Sequence, residues 1–133
     1  MISSPFVKEP REPGEVREEL WHDANLWADK HHDGTSSQHQ AQFVASLWAS
    51  AFEGTSKEKS QAYHSCLDYV WGVDSATNLG KAEAHVTIDW LFSGEYIEND
   101  RGKSEPVLNE NAIKETRLIL REALKKKGQQ ELL

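Results

Sequence analysis

The chain predicts an all-α fold, a single-domain bundle of about five helices. Three observations carry that prediction. Apolar side chains recur at three- and four-residue steps in successive segments, the spacing that stacks them on one stripe of a helix. Gly34, Gly54, Gly72 and Gly94 each follow such a segment, about twenty residues apart, as stops between short-linked helices. Thr35-x-x-Gln38 and Thr55-x-x-Glu58 match the capping box that opens a helix.

At 133 residues the chain is long enough for one domain with its own core. Hydrophobic content of 38% beside 28% charge suits a globular chain and argues against a disordered one. No apolar run approaches the ~20 residues of a membrane span. The start, MISSPFVKEPREPGE, lacks the cationic and apolar regions of a secretory signal. Cys66 is the single cysteine and allows no internal disulfide. A cytoplasmic location without membrane contact is the expectation.

Residues 1–13 read as an extended arm containing Pro5, Pro10 and Pro13, with Phe6 and Val7 as its apolar anchors. Residues 14–128 form the helical domain, and residues 129–133 a tail. The first helix spans about residues 14–32, with Val16, Leu20, Ala24, Trp27 and His31 on its stripe and Glu15, Glu18 and Glu19 near its positive end.

The second helix is expected over residues 36–53, at the centre of the bundle. Val44, Leu47, Trp48, Ala51 and Phe52 form its stripe, widened by Ala41, Ala45 and Ala49. A third helix ends at Trp71 and Gly72, with Tyr63, Cys66, Leu67 and Val70 on one face. Trp21, Trp27, Trp48, Trp71 and Trp90 are spread over the helices and are expected in the core.

Residues 75–93 carry two patterns. Leu79, Ala82, Val86 and Trp90 fit a helix, whereas Val86, Ile88, Trp90 and Phe92 alternate as a strand would over residues 85–92. The alanine-rich lead-in favours the helix, deeply buried. Residues 94–108 read as a polar connection with turn signals. Asn109 is placed to cap a last helix that ends near Gly128.

Charge is uneven along the chain. The net −7 divides into 7 basic against 17 acidic side chains in residues 1–100, and 8 against 5 in residues 101–133. Lys114, Arg117, Arg121, Lys125 and Lys126 give the last helix a cationic surface that could meet phosphates or a protein partner.

Metal chemistry has one dense candidate set: His22, Asp29, His31, His32 and Asp33, with His85 and Asp89 further on. Imidazole and carboxylate suit zinc or iron. The spacing supplies only isolated pairs, such as Asp29 with Asp33 and His85 with Asp89. Glu19-x-x-His22 matches one half of a di-iron bundle set, and the second half is missing. Glu15-x-x-Glu18 is one magnesium-binding step without its counterpart. Histidine–aspartate phosphohydrolase order, a nucleophile elbow and a phosphate-binding glycine loop are all absent. No catalytic residue and no cofactor site are assigned.

The sequence therefore predicts a small soluble interaction or regulatory protein, an inhibitor or adaptor that works through protein–protein contacts without catalysis. Opposite charges on its two ends also allow association with another copy of itself. The alternatives are a metal-dependent helical enzyme using the His22–Asp33 cluster, and a nucleic-acid-binding protein using the basic last helix.

Overall fold

The computed structural model describes residues 9–31 and 34–131, with side chains through Lys126. Phe6, Val7, His32 and Asp33 lie outside the described residues. The order is α1 (Pro13–Lys30), α2 (Gln38–Ala49), α3 (Ser56–Trp71), a 3-10 turn (Ala76–Asn78), α4 (Lys81–Leu91), β1 (Phe92–Glu98), β2 (Ser104–Leu108) and α5 (Glu110–Glu131). The chain is mostly helical, as its periodicity predicts. It is not purely all-α, because β1 and β2 form a small antiparallel sheet. No helix among the described residues is long and apolar enough to cross a membrane.

Local chemistry sets the helix ends. α1 opens with Pro13 at its first turn, where a missing N–H costs nothing. α2 is shorter than expected. Its capping box is Ser37 with Gln40, each side chain meeting the other's backbone N–H at 3.1 Å. Thr35 is instead drawn into a bridge with Gly80, and Lys81 N–H donates to the Gly34 carbonyl at 2.7 Å. α2 ends at Ala49, ahead of the expected Gly54, where the Ser50 hydroxyl donates to the Leu47 carbonyl at 2.7 Å. α3 has its expected box at Thr55 and Glu58, and ends at Gly72 with φ 68°, the left-handed turn that glycine adopts freely.

The helical reading of residues 85–91 holds; only Phe92 passes into a strand. α4 also carries a buried threonine. The Thr87 hydroxyl donates to the Glu83 carbonyl at 2.7 Å and accepts from the Trp71 indole N–H at 2.9 Å. Both capacities of the hydroxyl are used, so its burial leaves nothing unpaired.

α4 rather than α2 is the element that the others share. It packs against α1, α2 and α5 and continues into β1, while α2 meets α4, α3 and the 3-10 turn. The core is built on Val16, Leu20, Val44, Leu47, Leu67, Val70, Leu91 and Ile119. Trp48 is fully buried, with its ring edge-on to Tyr63 at 5.9 Å and to Trp90 at 5.7 Å. Trp27, Trp71 and Trp90 pack at the core's margin, and Trp21 departs from expectation at 46% exposed. Cys66 is buried between α3 and α5, where loss of solvent pushes its thiol up to about 12.

Candidate interaction surface

The β1–β2 hairpin packs against the core at its base, through Phe92 and Leu108, and is exposed toward its loop. Past Phe92, every residue of β1 is exposed, including Tyr96 at 56% and Ile97 at 59%. The segment forms strands because Phe, Tyr, Ile and Val cluster on either side of a glycine-containing loop. That loop, Asn99–Lys103, is held by its first residue. The Asn99 side-chain oxygen accepts from the N–H groups of Arg101 at 2.9 Å and Lys103 at 3.0 Å. Its amide donates to Glu105 at 2.9 Å, and Gly102 supplies a φ of 75°.

Register fixes which side chains share a face. Tyr96 faces Pro106, Ile97 faces Glu105, Glu98 faces Ser104 and Phe92 faces Leu108. Four steps on β1 match two on β2 between these pairs, so β1 bulges there, and Gly94 takes φ 89°. Gly94 was expected to stop a helix; it bends a strand instead. The base is clamped by Asn109, whose amide donates to the carbonyls of Trp90 at 2.9 Å and Phe92 at 3.3 Å.

Aromatic rings connect the hairpin to the body. Phe43 on α2 lies 5.4 Å from Phe92, and Phe92 lies 5.3 Å from Tyr96. Tyr96 thus ends a row of rings that begins at the core's margin. Ile97, the next residue, points to the opposite face of the ribbon. Both faces therefore present an apolar side chain to water, and among the described residues no further strand pairs with the outer edge of either strand. An open edge with exposed apolar side chains is a pairing surface.

Of the metal candidates among the described residues, His31, His85 and Asp89 line one cavity beside Trp27. His22, Asp29 and His31 are exposed on or just after α1, and Asp89 is exposed on α4 beside His85 at 3.2 Å. His31 and His85 each stack on Trp27, at 4.4 and 5.1 Å between ring centroids. The Trp27 indole thus lies against both imidazoles. Among the described residues no group of three or more His, Cys, Asp or Glu could hold a metal ion. Lys114, Arg117, Arg121, Lys125 and Lys126 are all exposed on α5, and Lys126 lies 5.1 Å over the Tyr69 ring.

Sequence reasoning passed over Tyr96 and Ile97, because residues 94–108 are polar on average. The signal was present: apolar runs flanking Asn99-Asp100-Arg101-Gly102-Lys103, a hairpin loop of ordinary length. No protein-family model, no curated protein and no solved structure matches this chain.

Proposed function

We propose that this protein is a non-catalytic binding module that engages a protein partner through the β1–β2 hairpin. The observation that carries the reading is the ribbon with Tyr96 and Ile97 exposed on opposite faces and, among the described residues, no further strand on either edge. A two-stranded ribbon is marginal alone in water. Here the Asn99 loop and the Asn109 clamp hold it in shape before any partner arrives, which lowers the ordering cost of binding. A partner strand added along an edge would gain backbone hydrogen bonds, with Tyr96 and Ile97 as side-chain anchors.

The test is capture from lysate of the source cells with the wild-type chain and with a Tyr96→Ala, Ile97→Asp double variant, followed by mass spectrometry. A protein retained by the first and lost by the second supports the reading. Equal retention by both rejects the hairpin as the surface.

Nucleic acid on α5 is a second reading, favoured by the exposure of all five candidate cations. Replacing Arg117, Arg121 and Lys125 with glutamate would abolish a salt-sensitive shift if that reading is right.

A further inference from the structure

We propose that the groove between α3 and α5 is a separate docking site, which receives an acidic amphipathic helix of a protein partner at Arg17, Tyr69 and Lys126. The site lies on other elements than the hairpin and does not depend on it.

Two cations from two helices meet one ring. The Arg17 guanidinium, from α1, lies 5.0 Å from the centre of the Tyr69 ring on α3, and the Lys126 ammonium, from α5, lies 5.1 Å from it. Arg17 also lies 5.3 Å from the Trp21 ring. Trp21 is fixed in turn, its indole N–H donating to the Val70 carbonyl at 2.6 Å. The guanidinium is therefore held against two aromatic rings, one of them tied to the backbone. Its geometry is set before a ligand binds, and the rings remove little of its charge.

Among the described residues the ion pairs involve Arg11 and His85, and neither Arg17 nor Lys126. Arg17 Nε is buried without a hydrogen-bond partner. A guanidinium has N–H donors in a fork that fits an oxyanion, so a carboxylate placed beside the Tyr69 ring would meet two positive charges. Glu58 and Asp68 also line the groove. Glu58 Oε1 accepts from the Thr55 N–H at 3.2 Å in the cap of α3, and neither carboxylate forms an ion pair with Arg17 or Lys126.

The shape selects a helix over a small anion. The groove is open to solvent, with a volume of about 1200 Å³, and Leu120, Ala123 and Leu124 of α5 form an apolar wall beside the cations. Leu124 is 52% exposed. A helix with leucine-like residues on one stripe and glutamates at its border satisfies the wall and the cations together. Residues 101–133 carry the chain's net positive charge within an acidic whole, which steers an acidic segment to this end of the protein.

The experiment titrates the full, nitrogen-labelled chain with a synthetic peptide bearing Glu and Leu at helical spacing. Controls are the same peptide with Lys for Glu, the same peptide with Ala for Leu, and inorganic phosphate. The readouts are the Arg17 Nε–H and Trp21 Nε1–H resonances and a dissociation constant from anisotropy. The Glu/Leu peptide should shift both resonances, and Arg17→Gln and Lys126→Glu should each weaken it about tenfold. If Arg17→Gln disturbs the packing of Trp21, Lys126→Glu at the exposed helix end still carries the test. The hairpin double variant should bind the peptide as the wild type does. No shift by the Glu/Leu peptide, or an equal response to phosphate or to the peptide lacking leucine, would overturn the proposal.

Discussion

Arg11 and Glu115 are 104 positions apart and form a forked ion pair that ties the start of the described chain to α5. Arg11 Nε donates to Glu115 Oε2 at 2.7 Å and Nη2 to Oε1 at 3.1 Å, while the Arg11 backbone N–H adds a bond at 2.8 Å. The Trp90 indole donates to Oε1 at 2.9 Å, and Glu19 pairs with the far side of the guanidinium. Glu115 is buried, and the carboxylate is fully occupied by α4 and by the segment before α1.

Burial by itself would raise the Glu115 carboxyl; the bonds from Arg11 and Trp90 outweigh it and hold the group below its ordinary value. A depressed folded value means that the stabilisation is complete above the unfolded value of about 4.3 and is lost as pH falls through the folded one. Glu115→Gln should lower unfolding free energy by about 2 kcal/mol at neutral pH, because it removes the buried counter-charge of Arg11 and leaves only the exposed carboxylate of Glu19. Urea unfolding at neutral and at acid pH checks this: the gap between wild type and variant should narrow in acid. A gap that stays constant would show that the ion pair contributes little.

The helical part of the fold was legible because burial alone fixes it. Val16, Leu20 and Ala24, or Tyr63, Cys66, Leu67 and Val70, show their periodicity whatever the neighbours are. What failed depends on tertiary competition. Thr35 looked like a cap until the bridge to Gly80 took it, and Ser37 replaced it. Gly94 has the same identity as a helix stop and as a strand bulge; only the pairing of β1 with β2 decides between them. The candidate surface was hidden for the same reason: a ribbon exposed on both faces has no buried stripe to read. The groove at Tyr69 needs Arg17, Tyr69 and Lys126 together, from three helices, and no spacing along the chain announces that.

Thr87 offers a test of the hub helix. Replacing it with valine keeps the volume and removes the acceptor of the Trp71 indole N–H. The half-buried donor then loses its partner, at a cost of about 1 kcal/mol. Chemical unfolding measures it. Serine at the same position should recover most of the loss, because it restores the hydroxyl; valine and serine behaving alike would assign the effect to packing.

Cys66 should be inert in the folded chain. It is fully buried, and its thiol, pushed up to about 12 by burial, supplies almost no thiolate at neutral pH. A chromogenic disulfide reagent should react at the rate of global unfolding and faster in urea. Rapid labelling under native conditions would mean that α3 and α5 separate locally, which bears on the groove between them.

Gly102 decides whether the hairpin is preformed. Its φ of 75° is costly for a β-branched residue, so Gly102→Val should destabilise the loop by about 1–3 kcal/mol. The helical core makes no use of this turn. Amide exchange should therefore accelerate in β1 and β2 while α2, α3 and α4 keep their protection. If the hairpin is the binding surface and its order is prepared in advance, affinity for the partner should fall by a similar free energy with Tyr96 and Ile97 intact, mainly through slower productive association. Unchanged affinity in a variant with a visibly loosened hairpin would mean that the partner folds the ribbon on contact, and that the Asn99 loop serves stability rather than recognition.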